Sequence, residues 1–409
     1  MISLSDAQNL DSGDPLAHLR GAFCLPAGDV YLNGNSLGLL SAPAEAAIGA
    51  MIDQWKAKAG GAWMDPADAW FDYTERVSAR LAAFVGAERG EVIATGSTTS
   101  NLHQLLATFY QPTPARPAIL IDSLAFPSDA HAVQSHLRLH RLEPETHLRK
   151  VASRDGATID EAAIEAMLQA PGVSMAILPA VVYGSGQLID MPRITRAAKQ
   201  AGVMLGWDCS HAIGAVPLNF GKLDCDFAFW CHYKYMNAGP GAVAGMYVNQ
   251  RHLTANPGLA GWFGMDKSRQ FLMQHTFEPA AGAGRFQVGS PHLLSLAALR
   301  GSLSLFDRSD IASLRSKSLA LTEFLFRLID ERLAKHGAQI VTPREPHRRG
   351  GHVSIAHENA EQICKAIAAE GIVTDFRRPG IIRITPAAMY STFEECFRAV
   401  EAIDVALQK

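Results

Sequence analysis

The sequence lacks the features that mark several large classes of protein. Its six cysteines form no Cys-x-x-Cys pair, so neither a disulfide framework nor a zinc site is indicated. A formal net charge of -3 offers no basic surface for nucleic acid or an anionic membrane. No run of about 18 apolar residues occurs, so no transmembrane helix is predicted. The first residues have no basic start and no apolar stretch, so we expect no secretory signal and predict a cytoplasmic protein.

What the chain does have is an alternation of short apolar runs and helix-like segments. The runs that we predict to be strands are 117–126, 173–183, 202–211, 225–235 and 242–249. They are apolar along their whole length, which is typical of strands covered on both faces. Helical patterns at 160–170 and 191–202 lie between them. The alternation predicts an α/β fold with a mainly parallel sheet.

The last third of the chain has a different character. A long amphipathic pattern at 313–337 predicts a helix, and the short strands and helices after it indicate a smaller α+β domain. We predict three parts: an N-terminal segment over 1–45 that packs with the small domain, a large domain over 46–299, and a small domain over 300–409.

Lys234 lies near the end of the apolar, aromatic-rich run CDFAFWCHYKY, just before a glycine-rich turn. The ordinary interpretation is a lysine at a strand end that extends its amine into water. Against it, Asp208 and His211 follow the preceding predicted strand, and ligands of open α/β sheets bind beyond the carboxyl ends of strands. A buried lysine with a lowered pKa can form a Schiff base with an aldehyde cofactor.

Two further features suit pyridoxal phosphate as that aldehyde. Asp208 offers a carboxylate for the pyridinium nitrogen. The segment GSTTSNLHQLL (96–106) opens a helix with small hydroxyl residues, and the free N–H groups of a helix start attract a phosphate. Taken alone, the hydroxyl segment favours an ordinary helix cap, and Asp208 alone would be a cap or turn residue. Only their combination with Lys234 indicates a cofactor site.

The combination resembles the kynureninases, which are fold-type-I pyridoxal-phosphate enzymes. The resemblance covers nearly the whole chain. The segments that carry it are YLNGNSLGLL (31–40), AFPSD (125–129), WDCSHAIGAVPL (207–218), YKYMNAGPGA (233–242), GWFG (261–264), RFQVGSPHLLSLAAL (285–299) and LRSKSLALT (314–322). It implies a large domain with a mainly parallel sheet and a smaller α+β C-terminal domain.

The resemblance also implies roles for individual residues. The catalytic residues would be Lys234, Asp208 and Tyr233, with Lys234 bound to the cofactor and acting as the base. The cofactor-binding residues would be these three with Thr98, Thr99, Phe126, Ser128, Asp129, His211, Trp262 and Ser290. Trp262 and Ser290 would come from the neighbouring subunit, which implies a homodimer with shared active sites. The substrate-binding residues would be Asn35, Ser36, Trp63, Phe263, Met265 and Arg383. Arg383 would take the α-carboxylate, which a planar guanidinium binds bidentately.

Four positions depart from the pattern of the family. Met265 stands where histidine is usual, Gly61 and Ala62 where bacterial relatives tend to have arginine and serine, and Pro179 where a hydroxyl residue is common. Methionine adapts to irregular shapes, and an apolar pocket discriminates weakly between ligands that differ by a methyl or hydroxyl group. We therefore expect a roomier, less polar aryl pocket that accepts a substituted kynurenine.

The predicted activity is hydrolysis of the Cβ–Cγ bond of L-kynurenine, or of a substituted kynurenine, to an anthranilate-type acid and L-alanine. Two alternatives remain: a pyridoxal-phosphate β-lyase or desulfurase acting on a cysteine-like amino acid, and a catalytically silent module. The scattered cysteines offer no mobile catalytic loop, which counts against the desulfurase. The histidines in HAVQSHLRLH (131–140) are expected on a solvated helix face, and no metal is predicted.

Overall fold

The computed structural model describes residues 2–26 and 28–408, and its central feature is a seven-stranded sheet with the order β2-β8-β7-β6-β5-β3-β4. The strands are β1 (Val30–Tyr31), β2 (Val92–Ala94), β3 (Ala118–Asp122), β4 (Leu148–Val151), β5 (Val173–Pro179), β6 (Met204–Asp208), β7 (Phe227–Trp230), β8 (Gly245–Val248), β9 (Gln339–Ile340), β10 (Val353–Ala356), β11 (Ile372–Val373), β12 (Asp375–Arg377) and β13 (Ile381–Ile384).

Helices cover both faces of the sheet and form much of the rest of the chain. The α-helices are α1 (Leu4–Ser12), α2 (Ala17–Arg20), α3 (Ala42–Lys58), α4 (Tyr73–Phe84), α5 (Thr98–Phe109), α6 (Pro127–Leu139), α7 (Pro144–His147), α8 (Glu161–Leu168), α9 (Met191–Gln200), α10 (Phe220–Leu223), α11 (Leu293–Phe306), α12 (Ile311–Arg332), α13 (Ala360–Ala368) and α14 (Phe393–Leu407). Short 3-10 helices occur at Ala59–Met64, Gln250–His252, Trp262–Gly264, Gln270–Leu272, Gly282–Phe286, Ala334–His336 and Pro346–Arg348. Among residues 2–26 and 28–408, no helix is both long and apolar enough to cross a bilayer.

The large sheet is parallel from β4 through β3, β5 and β6 to β7, whereas β8 runs antiparallel to both β7 and β2. Strand β7 shows why its sequence is apolar throughout. Phe227 and Phe229 pack into the core on one face of the sheet, and Ala228 and Trp230 pack into the core on the other. Because side chains alternate between the faces, a strand covered on both sides has no polar positions. The predicted α/β fold with a mainly parallel sheet is confirmed.

The strand before Lys234 is shorter than the sequence indicates. The apolar run 225–235 is not one strand, because β7 ends at Trp230 and the chain then bends. The prediction was wrong because residues after Trp230 remain buried without remaining extended: His232 and Met236 are both fully buried in the bend. Lys234 therefore lies in a turn at the carboxyl edge of the sheet and not within a strand.

The C-terminal part of the chain builds a four-stranded antiparallel sheet with the order β12-β13-β10-β9. It shares its apolar core with α12, α13 and α14. The start of the chain joins that core through Ile2, Ala7, Val30 and Leu32, and β1 pairs with β11 in parallel. The division at residues 45 and 299 stays a prediction.

Candidate active site

A cavity of about 250 Å³ lies beyond the carboxyl ends of the central strands. Pro179 ends β5 and Asp208 ends β6, and both line the cavity, as does Lys234 beyond β7. The predicted residues that meet there are Thr98, Thr99, Phe126, Ser128, Asp129, Asp208, His211, Tyr233 and Lys234. Residues from distant parts of the chain converge because parallel strands end at the same edge of the sheet.

The turn that holds Lys234 is fixed by the N-terminal segment. The N–H of Gly38 donates to the carbonyl oxygen of Tyr233 at 2.7 Å, and the N–H of Asn237 donates to that of Lys234 at 3.0 Å. A Cβ on Gly38 would lie 2.3 Å from the carbonyl oxygen of Lys234, so only glycine allows this approach. The backbone of the lysine is therefore held on both sides, and its amine projects into the cavity.

The amine of Lys234 contacts an uncharged histidine. Nζ lies 2.8 Å from Nε2 of His211, and the rings of Tyr233 and Phe126 lie within 6.0 Å of it. Burial lowers the pKa of His211 well below its usual value, and the charges of Lys234 and Arg383 lower it further. A neutral imidazole has one acceptor nitrogen, which suits it to accept a hydrogen bond from the lysine ammonium.

Asp129 and Asp208 line the cavity, and Asp122 lies close enough to interact with both carboxyl groups. Asp208 accepts a hydrogen bond from the N–H of Ser210 at 2.8 Å. Burial and the charge of Asp208 raise the pKa of Asp129 well above its usual value. Burial also raises the pKa of Asp122 to about 6, although its contact with the N–H of Leu124 acts in the opposite direction. A cluster of buried carboxyl groups favours a nearby cation. A protonated pyridine nitrogen would be such a cation.

Asp122 was missed in the sequence. It ends β3 as Asp208 ends β6, and one of its buried oxygens has no hydrogen-bond partner. The signal that could have found it is the acidic residue at the end of an apolar strand, which is the same signal that identified Asp208.

The segment at the start of α5 serves both as a cap and as a side of the cavity. Ser97 is the N-cap and forms a capping box with Ser100. The cap leaves the hydroxyl groups of Thr98 and Thr99 for the cavity, which both residues line. Gly96 precedes them with a φ of +54°, and a Cβ there would lie 2.6 Å from Oγ of Ser100. The arrangement suits a phosphate, because hydroxyl groups and the helix N-terminus face the same space.

Arg383 lies behind the cavity and is held by two partners. Its Nη1 donates to the carbonyl oxygen of Tyr183 at 2.8 Å, and its Nη2 contacts the carboxylate of Asp375. Tyr183 lines the cavity, whereas Arg383 is buried behind it with no partner at Nε. The predicted carboxylate-binding residue is thus close to the cavity, and Nε is the guanidinium nitrogen that has no partner.

The remaining predicted residues do not line the cavity of this chain. They are Asn35, Ser36, Trp63, Trp262, Phe263, Met265 and Ser290. Trp63 and Phe263 pack against each other with ring centroids 6.0 Å apart, and Met265 is buried. Trp262 and Ser290 are exposed, and Asn35 is buried with neither amide atom hydrogen-bonded. Of the four departures from the family pattern, only Pro179 lines this cavity.

Of the three histidines predicted on a solvated helix face, His131 and His140 are exposed, whereas His136 is not. His136 is buried, and its Nε2 lies 3.1 Å from Nδ1 of His103, because α6 packs against α5. Burial lowers the pKa of His136 to about 4, so this ring is uncharged at neutral pH. Within residues 2–26 and 28–408, no group of three or more histidine, cysteine or acidic side chains is arranged to hold a metal ion.

Comparisons with known proteins identify the family. The model of the kynureninase C-terminal domain matches residues 314–403, and that of the DegT/DnrJ/EryC1/StrS aminotransferase family matches residues 68–230. The kynureninase of Geobacillus thermodenitrificans is 48% identical over 407 residues, which cover 100% of this chain and 95% of that protein. The chain belongs to the kynureninase family. The resemblance predicted from the sequence motifs is confirmed.

Solved structures show the fold of this kynureninase-family chain in more distant proteins. A mutant of C-DES with glycine covalently linked to its PLP cofactor has a TM-score of 0.81 at 19% identity, and covers 94% of this chain and 99% of that chain. The apo cysteine desulfurase of Thermococcus onnurineus has a TM-score of 0.80 at 16% identity, with 96% and 98% covered. At these identities the likeness shows the fold alone. The predicted fold-type-I architecture is confirmed.

Proposed function

We propose that this kynureninase-family protein binds pyridoxal phosphate and hydrolyses the Cβ–Cγ bond of L-kynurenine, releasing anthranilate and L-alanine. The observation that carries the proposal is the convergence of Lys234, Asp208 and Thr98 on one cavity, in a chain 48% identical over its whole length to a kynureninase. When bound, pyridoxal phosphate withdraws electrons from Cα of the substrate and so makes its proton acidic.

Lys234 would hold the cofactor and then move the proton of the substrate. Its Nζ is positioned to take the proton from Cα, and Nε2 of His211, 2.8 Å away, accepts a hydrogen bond from the ammonium that results. Asp208 and Asp129 would face the ring nitrogen. Of these two, Asp208 is the partner that balances a positive charge, because burial favours a protonated Asp129.

The phosphate would lie at the start of α5. Thr98 and Thr99 offer hydroxyl groups there, and Tyr233 adds a phenol. Burial raises the pKa of Tyr233, so its hydroxyl group keeps its proton and donates a hydrogen bond. These three contacts would orient the cofactor without a buried lysine or arginine at the phosphate. The partial positive charge of the helix N-terminus would take part of that role.

Arg383 would bind the α-carboxylate of the substrate. Asp375 and the carbonyl oxygen of Tyr183 fix two of its nitrogen atoms, and the unpartnered Nε marks the edge that remains for a ligand. With the amino acid held in this way, water adds to the γ-carbonyl and the Cβ–Cγ bond breaks. The protein contributes the position of the substrate and the stabilisation of the hydrated carbonyl.

A homodimer with shared active sites is part of the proposal. A run of exposed apolar side chains supports it: Leu259, Trp262, Phe271, Leu272, Met273, Val288 and Leu294. Exposed apolar surface of this extent is typical of a protein interface. In such a dimer, Trp262 and Ser290 would reach the phosphate of the partner and Phe263 and Met265 its substrate. We also propose a cytoplasmic location, in line with six free cysteines.

The desulfurase alternative has less support. Such a reaction needs a reactive thiolate near the cofactor. In the described part of the chain, no cysteine lines the cavity. Cys209 and Cys231 follow the ends of β6 and β7, but both are buried, and burial raises the pKa of each thiol. Neither is available as a thiolate.

The test is a product assay on the purified protein loaded with pyridoxal phosphate. Kynurenine should give anthranilate and alanine in equal amounts, whereas cysteine should give no sulfide or persulfide. The Asp375→Asn variant, which loosens Arg383 without touching the cofactor, should show a raised KM for kynurenine. Sulfide release without anthranilate would overturn the proposal in favour of the desulfurase, and absence of both products would favour the silent module.

A further inference from the structure

A second buried histidine lies behind the one that contacts Lys234. His352 directly precedes β10, is 0% exposed, and has its ring centroid 5.7 Å from that of His211. Nδ1 of His211 has no hydrogen-bond partner, and the ring of His352 has none apart from a contact with the backbone of Tyr183. Buried polar atoms are nearly always hydrogen-bonded, so the unpartnered Nδ1 of His211 and the remaining nitrogen of His352 require an explanation.

The separation of these two rings is close to that of a bonded pair in the same molecule. His103 and His136 have ring centroids 5.2 Å apart, and their facing nitrogen atoms are 3.1 Å apart. The rings of His211 and His352 are inclined at 58°. A small rotation of either ring, or one water molecule between them, therefore joins Nδ1 of His211 to a nitrogen of His352.

Two glycines let the small domain place His352 there. A Cβ on Gly351 would lie 3.0 Å from the ring of Tyr235, and a Cβ on Gly350 would lie 2.8 Å from the side chain of Val181. The N–H of Gly350 also donates to the carbonyl oxygen of Gly186 at 2.7 Å. Because Tyr235 directly follows Lys234, the segment that ends in His352 packs against the turn that carries the lysine.

The charges around the two rings keep both imidazoles neutral. Burial lowers the pKa of His211 well below its usual value, and Lys234, Arg383, His352 and Arg377 act in the same direction. Burial also lowers the pKa of His352, as do Arg383 and Lys234, whereas the backbone of Tyr183 opposes this shift. Each ring thus has one N–H and one acceptor nitrogen.

The contact with Lys234 decides which nitrogen of His211 is the acceptor. When Lys234 is an ammonium it can only donate, so in that state Nε2 of His211 accepts and the ring proton lies on Nδ1. That buried N–H then needs an acceptor of its own, because leaving it unpaired is costly. His352 is the neighbouring ring and has a free nitrogen.

We propose that His352 is a positioning residue for Lys234, because it accepts the Nδ1 proton of His211 and so keeps Nε2 of His211 free to accept from the lysine ammonium. The inference rests on the proposed function only in taking Lys234 as the reactive amine. Its effect is to favour the ammonium form of Lys234 before the cofactor binds, and to give the small domain a direct influence on that amine.

The first test measures the tautomer of His211 in cofactor-free protein by NMR of ¹⁵N-labelled histidine. The wild type should show His211 with its proton on Nδ1. His352→Phe keeps a ring but removes the acceptor, so the preference should be lost. His352→Gln keeps an acceptor oxygen and should restore it. A wild-type His211 that has its proton on Nε2 overturns the proposal, whether or not either variant folds.

The second test follows the reaction of cofactor-free protein with pyridoxal as a function of pH, with borohydride fixing the product at Lys234. The pH at which the reaction reaches half its maximal rate should fall by about one unit in His352→Phe, because the ammonium of Lys234 loses its oriented acceptor. In His352→Gln this pH should return to the wild-type value. The matched control is His103→Phe, which breaks the other histidine pair, whose facing nitrogen atoms are 3.1 Å apart. It should leave this pH unchanged. Equal midpoints in the wild type and in folded His352→Phe overturn the proposal. A protein without activity toward kynurenine can still pass both tests, so the two proposals fail separately.

Discussion

Arg383 and Asp375 form a buried ion pair across the neighbouring antiparallel strands β13 and β12 of the C-terminal sheet. The carboxylate of Asp375 also binds the half-exposed Arg377, with Nη2 3.0 Å from Oδ2. Arg383 is 1% exposed, so a buried partner is required if its charge is to be tolerated. The pair fixes the direction of the guanidinium before any substrate arrives.

Replacing Arg383 by lysine should therefore weaken substrate binding although the charge is kept. A lysine ammonium cannot reproduce the planar contacts, and the loss should be about 1–3 kcal/mol, the range of charge-assisted hydrogen bonds. The measurement is the KM for kynurenine and the affinity for unreactive amino acid ligands. Arg377→Lys, which alters the half-exposed partner of the same aspartate, is the control and should have a smaller effect. Unchanged affinity in Arg383→Lys would show that another residue holds the carboxylate.

Removing the amine of Lys234 should abolish covalent attachment of the cofactor. The wild-type protein should carry pyridoxal phosphate as a visible chromophore, and borohydride followed by peptide mapping should place it on Lys234. Lys234→Ala should release the cofactor on gel filtration in the presence of a competing amine, because only noncovalent contacts remain. A label on a different lysine, or a colourless wild type, would contradict the assignment.

Asp208→Asn should lower kcat far more than it raises KM. The carboxylate balances a positive charge on the ring nitrogen, and that contact matters most when electrons flow into the ring in the transition state. Steady-state kinetics with kynurenine separate the two effects. A variant with wild-type kcat would remove Asp208 from the reacting centre.

Asp122 should make stability depend on pH in a direction opposite to that of an ordinary surface carboxylate. Its pKa is raised to about 6 by burial, so its stabilising, protonated form is lost as pH rises through that value. Asp122→Asn should stabilise the cofactor-free protein at pH 8 by about 1–3 kcal/mol, with no gain at pH below about 4. Urea unfolding at both pH values measures the effect. An equal change at both values would show that the group does not titrate in this way.

The exposed Asp155 is the matched control for that experiment. Burial raises its pKa, but hydrogen bonds from Thr158, Ala157 and Ser153 outweigh this and lower the pKa to about 2. Its stabilising contribution is present above the pKa of the unfolded chain and is lost as pH falls. Asp155→Asn should therefore destabilise the protein at pH 8, which is the opposite sign.

The protein should accept a kynurenine with a substituted aryl ring. We expect a ring-methylated kynurenine to be cleaved at least as efficiently as kynurenine, since Met265 offers no hydrogen bond and can adapt its shape. Parallel kcat/KM values for kynurenine, 3-hydroxykynurenine and the methylated compound test this. Met265→His should shift the preference toward the hydroxylated substrate. A clear wild-type preference for unmodified kynurenine would mean that other residues define the pocket.

Strands could be predicted because they depend on local sequence pattern. Contacts between strands could not, because they depend on the register in which the strands pair. The runs around β3, β5, β6 and β8 were identified because a strand covered on both faces must be apolar. The pairing of Arg383 with Asp375 could not be seen, because it depends on which residues of two antiparallel strands lie opposite each other. The lysine turn was read as strand because burial continues after Trp230 while the extended conformation does not.

The cofactor cavity shows the same division. Residues close to strand ends, such as Asp208 and Lys234, follow from the general position of ligand sites in α/β sheets. No pattern in the sequence identifies His352. A histidine after two glycines comes near the cavity only because its segment packs against Tyr235. His136 likewise reads as a polar helix residue until α5 covers it.

The segment from Tyr31 to Gly38 links the small β1–β11 sheet to the turn that carries Lys234. At its start, Tyr31 is paired with Val373 in the two-stranded β1–β11 sheet, and at its end, the N–H of Gly38 holds the carbonyl oxygen of Tyr233. Between these two ends the chain turns at residues 34–36, and the N–H of Thr385, directly after β13, donates to the carbonyl oxygen of Leu32 at 2.8 Å. One short piece of backbone thus contacts both the strand that carries Arg383 and the turn that carries Lys234, so the predicted carboxylate-binding and cofactor-binding residues share a common support.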